Sequence, residues 1–264
     1  MGKRTTIRRR SALAAGLATM AMALGFTAVP AEAAPPIAYV ALGDSYAAGQ
    51  GAGPYLDSCF RSDNSYAADA DVAKSVRLVT NAACSGATTL DVAATQLGRL
   101  KKNTALVTIT AGANDLNSTA VLIACLPAPS SANCAAALGF ASNMLGTVSA
   151  RLVGLVQAVH AAAPNAKIVL TGYPHLFEPV DTFTATANLL TDRLNTAIAA
   201  AADYTKTQYV DVTTAFAGHA TNSTPAWINY DPLTPLAPDN FHPNASGYEA
   251  YYAALLAKGA YSKS

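Results

Sequence analysis

Four short stretches of the 264-residue chain carry side chains that can share one nucleophilic reaction. Gly43-Asp44-Ser45-Tyr46 supplies a hydroxyl and Cys84-Ser85-Gly86-Ala87-Thr88 a glycine. Gly112-Ala113-Asn114-Asp115 supplies an amide, and Asp239-Asn240-Phe241-His242-Pro243 an imidazole three residues after a carboxylate. A serine hydroxyl is a poor nucleophile until a base takes its proton. His242 is the candidate base for Ser45. Asp239 is the candidate partner that holds the imidazole tautomer and stabilises the imidazolium, with a backbone carbonyl as the alternative orienter. The attacked carbonyl becomes an oxyanion and needs donors. The Ser45 and Gly86 backbone N–H groups and the Asn114 side chain are the candidates, Gly86 because it has no side chain to hold a ligand away.

Taken alone, Gly43-Asp44-Ser45 is an ordinary turn, since all three residue types favour turns. Three companion stretches in one chain move the reading to catalysis. Asp44 is expected to bond nearby backbone groups, and Asp115 to cap a helix starting at Leu116. His160 falls within a helical pattern, and His175 and His219 have no matching partner, so all three are read as structural. The stretch around Ser45 lacks the Gly-x-Ser-x-Gly elbow, which disfavours the α/β-hydrolase type of site. The Asn-x-Ser/Thr triplets at Asn117, Asn222 and Asn244 matter only in a host that glycosylates exported proteins.

These residues need a scaffold. Ile37 to Leu42, Leu78 to Thr80, Ala105 to Thr110, Lys167 to Thr171 and Gln208 to Val212 read as short strands. Leu145, Val148, Leu152, Leu155, Val156 and Val159 recur at helical spacing until Pro164. Leu189, Leu190, Leu194 and Ile198 mark a second helix, and Ala245 to Lys258 a third. Strands alternating with helices predict a parallel sheet covered on both faces. Ligands in such folds bind at the carboxyl ends of the strands. The first three chemical stretches follow the first three strands, and the fourth can reach them from the last loop.

Ser45, Gly86, Asn114 and His242 match in order the block residues of the SGNH, or GDSL, hydrolase family, which the chain resembles over roughly residues 37 to 256. The stretches "GDSYAAGQGAG", "ACSGATT" and "DNFHPNASGYEAY" are most similar to its secreted actinobacterial lipases and esterases. The resemblance implies a flavodoxin-like three-layer α/β/α sandwich with a central five-stranded parallel sheet, and ester hydrolysis with no cofactor and no metal. Such relatives commonly carry six cysteines in three disulfides. This chain has four, and the loops around residues 178–185 and 217–225, where the resemblance places the third bridge, contain none.

Composition sets the compartment. Lys3, Arg4, Arg8, Arg9 and Arg10 precede an uncharged run from Ser11 to Val29, and Ala31-Glu32-Ala33 fits a cleavage site. Residues 1–33 are therefore read as a signal peptide, with an uncleaved anchor as the alternative, and residues 34–264 as a single domain. Past the segment there are 12 basic and 15 acidic residues, a net charge of −3, against nucleic-acid binding. No later stretch reads as a membrane span. Cys59, Cys84, Cys125 and Cys134 suit disulfides in an exported protein. Proximity favours Cys59 with Cys84 and Cys125 with Cys134, although four cysteines allow three pairings and sequence does not choose. Zinc is poorly supported, because no C-x-x-C pair exists.

The expectation is a secreted, extracellular serine esterase or lipase, monomeric, acting on a small-molecule or lipid ester with transient contact at a lipid interface. Tyr46, Tyr55, Tyr173, Phe177, Phe183, Trp227 and Ile228 are candidates for an apolar groove. A phospholipase, a deacetylase of acylated polysaccharide and a catalytically silent binding protein are the alternatives.

Overall fold

The computed structural model describes Gly2, residues 35–73 and residues 76–262; the predicted signal, residues 1–33, otherwise lies outside these. Five strands, β1 (Ile37–Gly43), β2 (Val76–Asn81), β3 (Leu106–Thr110), β4 (Lys167–Thr171) and β5 (Gln208–Val210), form one sheet in the order β2-β1-β3-β4-β5. Every pairing is parallel. The central strands read as continuous apolar runs because both faces are covered; all five residues of β3 are buried. Gly43 lies opposite Thr110, and Ala41 pairs with Asn81, so β1, β2 and β3 end side by side.

Among the described residues the α-helices are, in chain order, α1 (Ser45–Ala48), α2 (Tyr66–Val72), α3 (Thr89–Thr95), α4 (Ser118–Cys125), α5 (Ala132–Ala162), α6 (Thr182–Thr205) and α7 (Ala245–Ala257). Helix α5 packs with α3, α4 and α6, while α2 packs with α7, giving the two outer layers. Helix α5 begins well before the apolar face that predicts it. Its first half is Ala- and Gly-rich and shows little periodicity, but Ser131 caps it by accepting from Cys134 N. By length and composition alone α5 could cross a membrane, contrary to the sequence reading. Its buried face, Val148, Leu152, Leu155, Val156 and Val159, is part of the domain core.

One face of the sheet is lined with hydroxyls. Thr110 bonds both Tyr66 Oη (2.9 Å) and Thr171 Oγ1 (2.6 Å), and Tyr251 Oη donates to Thr171 Oγ1 (2.7 Å). Tyr39 and Thr108 pair at 2.7 Å. Each buried hydroxyl thus has a partner, which removes the cost of taking it from water.

The structure joins Cys59 to Cys84 and Cys125 to Cys134. Where a third bridge was expected, the two loops meet through polar groups. Glu178 N donates to Asn222 Oδ1 (2.8 Å), Asn222 Nδ2 donates to Glu178 O (3.1 Å), and Gly218 N donates to Glu178 Oε1 (3.1 Å).

Candidate active site

Ser45 is the first residue of α1, at the carboxyl end of β1. The strand stops there because Asp44 N-caps α1, its Oδ1 accepting from Tyr46 N at 3.0 Å. Asp44 Oδ2 also accepts from Tyr173 Oη at 2.5 Å. Asp44 is almost fully buried, and burial pushes its carboxyl up to about 7 despite those two donors. Gln96 fixes the preceding peptide: Gly43 N donates to Gln96 Oε1 and Gln96 Nε2 to Gly43 O, both at 2.8 Å.

His242 Nε2 lies 2.8 Å from Ser45 Oγ. His242 Nδ1 lies 2.9 Å from the Asn240 carbonyl oxygen. A carbonyl can only accept, so Nδ1 carries the hydrogen and Nε2 presents its lone pair to the serine. The expected Asp239–His242 hydrogen bond does not form. Asp239 turns away, and its Oδ1 accepts from Tyr55 Oη. A backbone carbonyl, the alternative orienter, occupies the place at Nδ1. Burial pushes the imidazole down to about 4; the Asn240 carbonyl and the nearby Asp239 charge oppose that shift only in part.

The histidine loop is held from several sides. Tyr46 Oη donates to Phe241 O (2.6 Å), Asn229 N donates to His242 O (2.9 Å), and Gln50 Nε2 donates to Pro238 O. Gly51 lets the loop come close: a Cβ there would sit 2.5 Å from Pro243 O and 2.8 Å from His242 Cβ. None of these supports was foreseen. By sequence Tyr46 and Tyr55 are groove candidates, and a glycine amid glycines gives no signal of close approach.

Gly86 adopts φ +78°, with open space where a Cβ would go. A glycine is needed there for its left-handed backbone and not, as the sequence suggested, for room. Among the described residues, neither the Ser45 nor the Gly86 N–H meets a protein acceptor. Asn114 Nδ2 donates to Ala87 O at 3.0 Å, which uses one of its two hydrogens. Ser85 N donates to Cys59 O (3.1 Å), so the Cys59–Cys84 bridge fastens the Gly86 turn.

Two expectations about neighbouring groups need correction. Asp115 does not cap the helix that follows it. Its carboxylate accepts from Thr89 N (2.8 Å) and Thr89 Oγ1 (2.7 Å) at the start of α3, and from Arg151 Nη1 of α5 (2.9 Å). His175 has a partner, Asp192 Oδ1, at 2.6 Å, and His219 stacks on Trp227 at 3.5 Å.

Ser45, Gly86, Asn114 and His242 line one cleft of about 440 Å³. Its walls are aliphatic: Leu116, Leu122, Ile123, Leu176, Leu190 and Leu194. Of the aromatic groove candidates only Tyr46 and Tyr173 face it. Phe177 and Phe183 pack together instead, Trp227 stacks on His219, Ile228 is buried, and Tyr55 reaches Asp239. Among the described residues no cluster of His, Cys, Asp and Glu is arranged to hold a metal ion.

The profile of the GDSL-like Lipase/Acylhydrolase family matches residues 41–250. Lipase 1 of Streptomyces coelicolor is 33% identical over 94% of this chain and 98% of its own length. The crystal structure of phospholipase A1 from Streptomyces albidoflavus NA297 superposes with a TM-score of 0.78 at 34% identity, covering 84% of this chain and 99% of that one. The extracellular lipase of Streptomyces rimosus gives 0.76 at 33% identity, covering 83% and 98%.

Proposed function

The chain belongs to the GDSL-like lipase/acylhydrolase family of ester hydrolases, and we propose that it is an exported lipase that forms an acyl-enzyme on Ser45. The observation that carries this reading is the 2.8 Å Ser45–His242 pair at the head of an aliphatic cleft. His242 Nε2 takes the Ser45 proton as Oγ attacks the ester carbonyl carbon. The oxyanion rests against the Ser45 and Gly86 N–H groups and the free Asn114 hydrogen. His242 then protonates the departing alkoxide oxygen, and the C–O bond breaks. Water enters, gives its proton to His242 and attacks the acyl carbon; Ser45 leaves with the proton from His242 and a carboxylic acid is released. The buried imidazolium is costly in the free enzyme, and the oxyanion forming beside it offsets that cost within the same step.

The cleft suits an acyl chain. Its ionisable lining groups are Asp44, Tyr46, Tyr173 and His242, so a neutral ester enters without an unmatched charge. Beside it, the 231–240 loop presents Leu233 and Leu236, 89% and 69% exposed. Asp231 holds their loop, with Leu233 N donating to its Oδ1 (2.9 Å) and Thr234 Oγ1 to its Oδ2 (2.9 Å). Leu236 at the exposed edge of the cleft and Leu233 beyond it suit transient contact with a lipid interface. Export is supported by the basic-apolar start of the chain and by the extracellular relative. A phospholipid substrate is the second reading, favoured by the likeness to phospholipase A1.

Initial rates on nitrophenyl esters from acetyl to palmitoyl, with Ser45→Ala run beside the parent, test the proposal. It expects a maximum at medium or long chains and an inactive variant. A maximum at acetyl would point to a deacetylase, and a folded but inert parent to a binding protein. Turnover of phosphatidylcholine above that of triacylglycerol would select the second reading.

A further inference from the structure

We propose that Tyr55 and Asp239 form a latch that holds the histidine loop against the nucleophile turn, making Tyr55 a positioning residue for His242. The inference rests on the Ser45–His242 reading above. Asp239 stands three residues before His242, where a triad acid would stand, yet its carboxylate accepts from Tyr55 Oη. The same phenol oxygen accepts from Gly51 N at 2.9 Å. A chain of donors thus runs from Gly51, beside the nucleophile helix, through Tyr55 to the loop carrying His242, and each bond polarises the next.

Tyr55 is itself anchored. Its ring meets Phe60 edge to face at 4.9 Å, and it bridges Ser62 across a short antiparallel turn. Cys59 in that turn is bonded to Cys84, two residues before Gly86. The turn therefore touches the oxyanion side and the base side of the site together. At the other end, Asp239 O accepts from His242 N at 3.3 Å, so the residue that Tyr55 grips is hydrogen-bonded to the histidine backbone. With Nδ1 already on Asn240 O, the carboxylate has no tautomer to hold.

The ionisable groups facing His242 are Asp239 from its own loop and Tyr46 from α1, whose ring lies 5.4 Å away and whose phenol burial keeps protonated. Only Asp239 brings a charge that the latch can move. Losing the Tyr55 hydroxyl frees that charge to approach Nδ1; neutralising Asp239 removes it.

The test compares parent, Ser45→Ala, Tyr55→Phe, Asp239→Asn and the Tyr55→Phe/Asp239→Asn pair on one nitrophenyl ester from pH 2.5 to 9, with melting curves to confirm folding across that range. Asp239→Asn keeps an oxygen for Tyr55 but loses the charge that strengthens the bond, and is expected to lose about 2- to 10-fold in kcat. A tautomer-holding carboxylate would cost about 10⁴-fold. Tyr55→Phe is expected to lose at least as much in kcat with KM little changed, and the pair no more than the larger single loss. The acid limb should move up in Tyr55→Phe and down in Asp239→Asn. A thousandfold loss in Asp239→Asn, additive losses, parent-like rates in both single variants, or acid limbs moving together would each overturn the latch. Activity retained in Ser45→Ala would instead overturn the underlying site.

Discussion

His242 Nδ1 and the Asn240 carbonyl oxygen lie 2.9 Å apart, so the imidazole is oriented by backbone from its own loop. A carbonyl is neutral. It fixes the tautomer as a carboxylate does, but does less to stabilise an imidazolium. Burial keeps the base uncharged until about pH 4, and the carbonyl opposes that shift only in part.

The acid limb of kcat/KM reports the base in the free enzyme. It is expected well below the ordinary imidazole value of about 6.5. A pH–rate profile on a soluble ester checks this; a limb at 6.5 or above would contradict the burial of His242.

Stability carries two opposing slopes. The depressed His242 contributes stability that is present above 6.5 and lost as pH falls through about 4. Asp44, raised to about 7, contributes stability that is complete below 3.8 and lost as pH rises through 7. Asp44→Asn removes only the second slope. Its stability relative to the parent should therefore improve from pH 5 to pH 8.5 in urea denaturation.

Asn114→Ala is expected to lower kcat by about 10²–10³ with KM little changed, the usual loss for one oxyanion donor. Gly86→Ala meets open space but keeps φ +78° only at about 1–2 kcal/mol of backbone strain. It should fold with a lowered melting temperature and turn over slowly, because relaxing that strain re-aims the N–H. Paired melting and kinetic measurements separate the two effects.

Asn222→Ala removes two hydrogen bonds to Glu178 across the loops that join here through polar groups. The expected cost is about 1–2 kcal/mol, measurable in urea, with kcat unchanged. Glycosylation at Asn222 would break the same link.

Most strands were legible because they are short apolar runs, and Lys167–Thr171 is bounded as expected; β2, with Arg77 and Asn81, runs beyond the Leu78–Thr80 that the sequence suggests at both ends. The parallel sheet followed from the alternation of strands with helices. Helices α1 to α3 were not legible because they are short; a helix was expected from Leu116, and α4 starts at Ser118, with its apolar residues spread around its circumference. For the site, residue types and order were enough to bring Ser45, Gly86, Asn114 and His242 to one cleft. Side-chain direction was not. Asp239 at the expected spacing points to Tyr55, because a backbone carbonyl two residues from His242 already fills the place at Nδ1. The aliphatic walls were missed for a related reason. Leu190 and Leu194 mark a helix in sequence, and only the packing of α6 shows that they line the cleft.

The central claim is that Ser45 is the nucleophile. Its most direct test is inactivation with diethyl nitrophenyl phosphate, followed by peptide mapping of the adduct. One diethylphosphoryl group on Ser45, formed in step with the loss of esterase activity and absent from His242→Ala, is the predicted result. An adduct on another residue, or full activity with Ser45 modified, would contradict it.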